Sequence, residues 1–503
     1  MNALQRKDSF LLALLFLVVM LIFYPLFSAE YIYTDEVNQL WLYRPGSNFS
    51  MFAQQGRWIT EWLMSTLFSA VDSIRELTYL RVFALVSWLL CIPLWYTIVK
   101  RLVAAAPGYE YLPFLTCLYL VTSLPFAITI QWASCMEMAI ANTAGLLSGA
   151  IWYLGIREKK KGEIPLTAGL GAILTGFVSL CTYQSGFGCF LIPFLFHYVS
   201  AFTTRKDLVF IKGLAVYFLI YAIYFIAFKL YVSVTHVASD PRTGIYINPP
   251  YKLYYFLSKP LKRAFWFNII VNDESRVAKI IYLALFAGWI LLAFLRFGKK
   301  NLPGAGKYLA AVLLVFLISQ LPSLVVKENY ASNRTMLGLY MSVWIVCADM
   351  VMHFVKTTAL CRTIAIGQAI LLLAFGWYNF NKLFLQPVRE EYRAIRNYLQ
   401  QQYTRRTTTI YFIRPAEDAF SRKYQLPSSM DEFGVPSTYF EWVPENLVQQ
   451  MVFEMTGSRR IAEQLVVKHW PDTARFAASG VTVTGNVLVV NAPALIDAEN
   501  TKH

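Results

Sequence analysis

Two adjacent carboxylates, Asp35 and Glu36, follow the first apolar run of the chain, at the end of the segment that begins at Tyr31. Carboxylates at the end of a membrane helix are costly to desolvate, which favours a functional reason for their position. Because neighbouring side chains point in different directions, one acid can face a cavity while the other does not. A single carboxylate placed in this way suits a general base that takes a proton from an attacking hydroxyl. The residues themselves leave open which of the two is the base.

Basic residues predicted to lie on the same side of the membrane could bind the negative charge of a substrate. Arg and Lys bind phosphate strongly where water is excluded. The candidates are Arg57, Lys259, Lys262, Arg263, Lys327 and Arg334. We favour Arg334 and Lys327 together with one of the three residues at 259, 262 and 263, and we expect Lys252 to be an ordinary surface residue. Two further acids, Glu61 and Glu137, are candidates to face the same cavity.

The residues that follow Arg57 predict a helix that lies in the membrane surface. Ile59, Trp62, Leu63 and Leu67 recur at helical spacing on one side, and polar residues occupy the other. A helix with one apolar side and tryptophans typically lies at headgroup depth. It would cover a cavity next to Asp35.

The composition indicates a polytopic α-helical membrane protein. The 503 residues are 57% hydrophobic and only 15% charged, and many apolar runs reach the ~20 residues that cross a bilayer. We predict about eleven transmembrane helices. They are Phe10–Phe27, Leu77–Val99, Tyr111–Ile130, Ser134–Gly155, Pro165–Thr182, Gly186–Phe202, Leu208–Val234, Val277–Leu295, Tyr308–Val326, Met336–Phe354 and Thr363–Phe384.

The net charge of +15 does not indicate a nucleic-acid partner. Much of the Lys and Arg lies in every second loop between the apolar runs, which is the positive-inside pattern. The pattern predicts a cytoplasmic amino terminus, and an odd number of crossings then places the carboxyl-terminal region outside the cytoplasm.

Two units are expected on this topology. Residues 1–384 form the membrane module, with external loops at 28–76 and 235–276, and residues 385–503 form a small external α/β domain. Within that domain we predict a helix over 389–403, a strand over 408–413 and a terminal hairpin over 481–490.

The absence of other motifs narrows the reaction class. The sequence contains no P-loop, and no predicted cytoplasmic loop is long enough to fold around a nucleotide sugar. The donor of a group-transfer reaction should therefore cross the membrane already activated. A polyprenyl phosphate-linked sugar meets this need, since its tail lies in the bilayer and its phosphate is the leaving group.

Three short motifs carry a family resemblance. They are Thr34-Asp35-Glu36, then Gln55-Gly56-Arg57-Trp58, and Asp431-Glu432-Phe433-Gly434 followed by Pro436. With these motifs and its overall layout, the chain resembles the membrane glycosyltransferases of the GT-C fold. Within them it is most similar to the type II O-antigen glucosyltransferases of enterobacteria and their serotype-converting phages.

The resemblance implies an inverting transfer of glucose from undecaprenyl phosphate to a hydroxyl of a lipid-linked O-antigen unit. It implies that Asp35 is the base, and that the protein lies in the bacterial inner membrane with its carboxyl-terminal domain in the periplasm. A flippase and the enzyme that makes the donor would be its functional partners. A divalent metal is compatible with the Asp35–Glu36 pair but is not required, because no third ligand is evident.

Alternative functions remain open at this point. One is a GT-C transferase of another sugar, such as aminoarabinose or mannose. Another is a flippase or transporter for a lipid-linked glycan, which would use the basic cavity without a base. A third is a non-catalytic partner in polysaccharide assembly.

Overall fold

The chain folds as a bundle of apolar helices, followed by a smaller carboxyl-terminal part that contains a β-sheet. The computed structural model describes residues 3–103, 111–158, 166–200, 206–236, 240–265, 276–297, 301–355, 357–429, 431–481 and 485–498. The bundle helices are α1 (Ala3–Phe23), α2 (Glu36–Leu42), α3 (Trp58–Phe68), α4 (Leu77–Leu102), α5 (Leu112–Thr122), α6 (Leu124–Gln131), α7 (Met138–Glu158), α8 (Leu166–Thr182), α9 (Ile192–Ser200), α10 (Lys206–Thr235), α11 (Pro249–Phe256), α12 (Lys262–Phe265), α13 (Arg276–Phe297), α14 (Leu302–Ile318), α15 (Leu321–Val325), α16 (Leu337–Phe354) and α17 (Thr358–Tyr378).

Within the described residues, seven helices are long and apolar enough to cross a membrane. They are Lys7–Phe27, Leu77–Leu102, Ala133–Arg157, Asp207–Thr235, Lys279–Phe297, Leu337–Phe354 and Ala359–Gln402. Helices α5 and α6 form an eighth candidate that is bent by 47°, and α8 and α14 are shorter apolar helices. These results confirm a helical membrane protein, and the number of about eleven crossings stays a prediction. The predicted run ends at Pro165 and Phe202 lie outside the described residues.

One bend in this bundle has a local cause. Ser123, between α5 and α6, has an extended backbone, and its side-chain oxygen accepts a hydrogen bond from the Phe126 N–H at the start of α6. Pro125 lacks a backbone N–H, so the chain can start a new helix there but cannot continue the preceding one. The bend directs the chain beyond α6 towards Trp132.

The carboxyl-terminal part is α/β in composition. Its helices are α18 (Gln386–Gln402), α19 (Ala419–Tyr424), α20 (Pro444–Thr456), α21 (Arg459–Glu463), α22 (Thr473–Ala478) and α23 (Ala492–Ala498). Its strands are β1 (Thr409–Ile413), β2 (Val466–Trp470) and β3 (Val487–Asn491), and all pair in parallel in the order β2-β1-β3. The central strand β1 buries Ile410 and Phe412, which point to the same face of the sheet.

The predicted helix over 389–403 and strand over 408–413 are confirmed within a few residues. The strand of the predicted hairpin that begins at Val487 is also present, but its partner is β1, in parallel. The pairing continues one residue before both strands, where the Asn486 carbonyl oxygen accepts the Thr408 N–H at 2.9 Å. Residues 482–484, in the other half of the predicted hairpin, lie outside the described residues.

The carboxyl-terminal part shares a hydrophobic core with the loop between α1 and α4. Ile32 and Leu40 of that loop belong to the same buried cluster as Ile410 and Leu447 of the carboxyl-terminal part. At the predicted boundary near residue 384, the chain passes from α17 to α18 through a wider helical turn, Asn379–Leu385, without leaving the helical conformation. The shared core fixes the position of Asp35, which precedes α2.

Helix α3 buries part of its apolar side inside the protein and leaves another part exposed, so its position in the membrane surface stays a prediction. Thr60, Leu63, Met64 and Phe68 are buried, whereas Trp62 is 66% exposed. The reason is that α3 packs against α8 and the shared core, which take the side centred on Leu63 and Met64.

Candidate active site

Glu36 is completely buried and its carboxylate is fully engaged inside the protein. It accepts the backbone N–H of Tyr33 at 2.8 Å and that of Ala133 at 2.6 Å. It also forms a two-point ion pair with Arg81, in which the Nε–Oε1 and Nη2–Oε2 distances are 3.2 and 2.5 Å. These contacts join the loop before α2 to α4 and to the segment after α6. They leave little capacity for Glu36 to accept a proton from a substrate.

Arg81 is the partner that sequence reasoning missed. Its side chain is fully buried, donates to the Tyr31 carbonyl oxygen at 3.0 Å and stacks over the Tyr31 ring. The sequence did indicate that Arg81 needs a partner, because it is a charged residue near the start of a largely apolar helix. Such a charge is costly to bury unless it is paired. A partner for Glu36 could have been inferred from that charge.

Asp35 is in a different environment, although it is the adjacent residue. It precedes the first turn of α2, is only partly exposed, and accepts the indole N–H of Trp442 at 3.0 Å. Burial raises the pKa of the Asp35 carboxyl, while the nearby positive charge of Arg334 opposes that rise. The carboxylate keeps an oxygen that none of the described residues contacts.

Arg334 lies beside Asp35 and is held by three groups. Its guanidinium stacks over the Trp132 ring at 4.2 Å and hydrogen-bonds the Tyr330 hydroxyl. The same Nη2 atom is 3.2 Å from a carboxylate oxygen of Asp431. No described residue accepts a hydrogen bond from Nε or Nη1, so Arg334 retains donors for an anion.

The third motif reaches this site from the carboxyl-terminal part. The buried carboxylate of Glu432 accepts the backbone N–H groups of Asn333 at 2.8 Å and Arg334 at 3.0 Å. Tyr33 donates its hydroxyl to the Asp431 carbonyl oxygen at 2.9 Å. Gly434 follows at φ +70°, where a Cβ would lie 2.4 Å from the Pro427 carbonyl oxygen, so glycine is required there.

Arg57 is positioned by the second motif. Gly56 has φ +75°, and a Cβ there would lie 2.3 Å from the Tyr224 hydroxyl, which itself donates to the Gly56 carbonyl oxygen. This tight turn directs Arg57 over the Tyr183 ring at 3.8 Å. Arg57 donates through Nε to Gln184 at 3.1 Å, and its two terminal nitrogens contact no acceptor in the described part of the chain.

Glu137 lies before α7, is 1% exposed, and is near both arginines, whose charges act on its carboxylate. Tyr183 lies between the same two arginines, since Arg57 stacks on its ring and it is among the groups near Arg334. We name Asp35, Arg57, Glu137, Tyr183 and Arg334 the polar cluster. It lies at one end of the bundle, which we name the site end.

The other predicted residues lie elsewhere. Glu61 accepts the Tyr43 hydroxyl and the backbone N–H groups of residues 51–53, so it orders the loop before α3. Arg263 donates to the Ala331 carbonyl oxygen at 2.6 Å. Lys262 is half-buried, and Lys259 and Lys327 are exposed.

The expectation that Lys252 is an ordinary surface residue is wrong. The residue is 4% exposed, and its ammonium donates to two carbonyl oxygens, of Ser323 and Val326, and to the Asn329 side chain. Its three donors are therefore all used to tie α11 to α15 and to the segment that follows it. Among the described residues, no group of three or more His, Cys, Asp or Glu side chains is arranged to hold a metal ion.

We expect Asp431→Asn to move the acid limb of the pH–rate profile to lower pH. The negative charge of Asp431 raises the pKa of Asp35. A base acts only when it is deprotonated, so its activity is lost as the pH falls through its pKa. Removal of the charge lowers that pKa and extends activity to lower pH. The profile of kcat/KM for purified protein is the measurement, with Glu445→Gln on the exposed side of α20 as the control. An unmoved limb, or one moved to higher pH, contradicts Asp35 as the titrating base.

A partly buried acid near an arginine with open donors, at the end of an apolar helical bundle, is an arrangement suited to group transfer at a membrane. The chain belongs to the family described as Glucosyl transferase GtrII, whose model matches residues 24–351. This match confirms the resemblance to the type II O-antigen glucosyltransferases, and the protein is a membrane glycosyltransferase. The match includes every member of the polar cluster and ends before Asp431. Neither a curated protein nor a solved structure matches the chain.

Proposed function

We propose that this protein is an inverting glucosyltransferase that moves glucose from undecaprenyl phosphate to a hydroxyl of a lipid-linked O-antigen unit. The observation that carries the proposal is the proximity of Asp35, with its raised pKa, to an arginine that has free donors. One group can take a proton while the other holds a phosphate.

In the proposed reaction, Asp35 removes the proton from the acceptor hydroxyl. That oxygen forms a bond to the anomeric carbon of glucose while the bond from that carbon to the phosphate oxygen breaks. Polyprenyl phosphate leaves with the electron pair, and the configuration at the anomeric carbon inverts. Trp442 holds one oxygen of Asp35, so the other can meet the hydroxyl. Asp35 acts as the base because the carboxylate of Glu36 is taken up by Arg81 and two backbone N–H groups.

The donor phosphate is proposed to bind between Arg57 and Arg334. The terminal nitrogens of Arg57 and two nitrogens of Arg334 contact no acceptor among the described residues, while Tyr183 lies close to both guanidiniums. Planar guanidinium groups bind phosphate through paired hydrogen bonds, and they do so most strongly away from water. Lys259 and Lys327 are exposed and less suited to this role.

The site end is proposed to face the periplasm. The opposite end of the bundle carries cations of several helices, including Lys100 paired with Asp8 and Arg296 paired with Asp349. An excess of Lys and Arg marks the cytoplasmic side. On the periplasmic side, the site would meet a donor and an acceptor that are both attached to lipids. A separate enzyme would make the lipid-linked donor, and a flippase would carry it across the membrane.

Arg57→Gln tests the phosphate site. We expect donor kcat/KM to fall about tenfold or more, since a charge-assisted hydrogen bond contributes roughly 1.5–3 kcal/mol. The acceptor KM should change little, because the proposed base Asp35 receives the acceptor and Arg57 makes no contact with Asp35 among the described residues. The measurement is transfer by purified protein in lipid nanodiscs, with the two substrates varied in turn.

Lys327→Gln is the matched control for this experiment. Lys327 is an exposed cation whose backbone N–H, not its side chain, holds the Gly244 carbonyl oxygen. We expect its variant to remain within about twofold of the unmodified protein, as is usual for surface substitutions. Equal, small effects of both variants would place the phosphate elsewhere. Formation of no glycosidic product by the unmodified protein would reject the proposed reaction.

A further inference from the structure

Glu137 has a buried carboxylate that accepts no hydrogen bond from any other described residue, and only its own backbone N–H acts on it from close by. The residue is 1% exposed, and neither Oε1 nor Oε2 has a hydrogen-bond partner within the described ranges. Glu36, Glu391 and Glu432 are also buried acids, and each accepts at least two hydrogen bonds from nearby groups. A buried carboxylate without partners is expensive, so the contrast points to a ligand.

The two neighbouring arginines balance the charge of Glu137 without using its oxygens. Both Arg57 and Arg334 are close enough to act on the carboxylate. Arg57 instead donates to Gln184, and Arg334 donates to Tyr330 and Asp431. The site therefore supports a negative carboxylate with two open oxygens, which is suited to accept hydrogen bonds from neutral hydroxyl groups.

Further unpaired polar atoms occur in the same segments of the chain. Trp132 Nε1 and Gln131 Oε1 are buried without partners just before Glu137, and Ser185 Oγ is buried without one just after Tyr183. The indole N–H can donate, the amide oxygen can accept, and the serine hydroxyl can do both, which is the mixture that recognition of sugar hydroxyl groups requires. An apolar lipid tail could satisfy none of them, and a phosphate would be repelled by Glu137.

We infer that Glu137 accepts hydrogen bonds from hydroxyl groups of the donor's sugar and thereby helps select the sugar that is transferred. The inference rests on the proposed function and specifies one part of its site. Glu137 and Asp35 both lie near Arg334. A phosphate at the arginines would therefore have the base near one side and Glu137 available to the sugar that it carries.

Glu137→Gln tests the inference through a comparison of two lipids. The equilibrium binding of polyprenyl phosphate and of polyprenyl phosphate-glucose is measured in nanodiscs. We expect the variant to bind the glucose-bearing lipid roughly tenfold more weakly, as for the loss of charge-assisted hydrogen bonds. Binding of the bare phosphate lipid should not weaken, because the change removes a negative charge near the two arginines that hold the phosphate.

Glu61→Gln is the matched control, because its carboxylate accepts four hydrogen bonds within the loop before Arg57. If that change disturbs Arg57, it should weaken the binding of both lipids equally and preserve the preference for the sugar-bearing lipid. Glu137→Asp, which keeps the charge but shortens the side chain, should fall between the unmodified protein and Glu137→Gln. It also serves as the second variant if Glu137→Gln does not fold.

Donors that lack single hydroxyl groups identify the contact. The unmodified protein should discriminate against at least one deoxyglucose donor, and Glu137→Gln should lose that discrimination. The inference is overturned if Glu137→Gln weakens both lipids equally or neither, or if the unmodified protein shows no preference for the sugar-bearing lipid. Failure of the proposed reaction has a separate signature, since the unmodified protein would then form no product whatever the binding contrast.

Discussion

Asp35→Asn should reduce sugar transfer by about 10²–10⁴-fold while the protein still inserts, folds and binds the donor. Asparagine has nearly the same shape and can still contact Trp442, but it cannot take the proton of the acceptor hydroxyl. The effect should therefore appear in kcat rather than in donor affinity. The measurement is single-turnover transfer at saturating donor and acceptor, alongside donor binding to the same preparation.

The same experiment separates a transferase from a transporter of lipid-linked glycan. A transporter uses no base and should move its lipid at an unchanged rate after Asp35→Asn. Turnover of the purified variant within tenfold of the unmodified protein would remove Asp35 from the mechanism. Glu36→Gln is the informative comparison, because we expect it to lower the yield of folded protein rather than the activity of each folded molecule.

The difference between Asp35 and Glu36 shows where sequence reasoning ends. The side chains of adjacent residues point in different directions on any regular backbone, so the sequence supports one acid that acts as the base and one that does not. Choosing between them requires Arg81, which is 45 residues beyond Glu36, and Trp442, which lies 407 residues beyond Asp35. No local pattern encodes contacts over such separations.

The fold was predictable to the level at which local periodicity determines it. Long apolar runs became helices because a bilayer leaves few other ways to satisfy the backbone. The partner of β3 was not predictable, because a strand pattern specifies its faces but not its neighbour. Lys252 was misjudged for a related reason, since its three acceptors lie 71–77 residues further along the chain.

The sequence identified the kinds of residue that form the candidate site, but not which of the candidates lie together in the folded protein. Arg57 and Arg334 were named with four other cations, and only the folded chain separates them from the exposed Lys259 and Lys327. The motif at Asp431 was noted from the resemblance alone. Its role in holding Arg334 follows from packing between the carboxyl-terminal part and the bundle.

Arg81→Met should destabilise the protein by about 3–5 kcal/mol, because it leaves the Glu36 carboxylate buried without its cation. Both side chains of this ion pair are fully buried, so solvent cannot replace the lost charge. The measurement is the free energy of unfolding in mixed micelles, with the yield of folded protein as a second readout. Arg75→Met is the matched control, since Arg75 is 84% exposed and lies 3.8 Å from Glu30. Its effect should stay within about 0.5 kcal/mol.

The double variant Arg81→Met with Glu36→Met separates two contributions to stability. One is the ion pair itself, and the other is the cost of leaving one buried charge without its partner. Removing both ions avoids the unpaired charge, so the double variant should be more stable than Arg81→Met alone. It should remain less stable than the unmodified protein, because the backbone N–H groups of Tyr33 and Ala133 lose their acceptor. In this double variant Asp35 is chemically intact, and α2 is still held by its packing against α20 and the shared core. We therefore expect the folded fraction to retain measurable transfer. A stable Arg81→Met protein would show that the loop does not depend on this ion pair. A folded double variant as inactive as Asp35→Asn would show that Glu36 is more than the anchor of this loop.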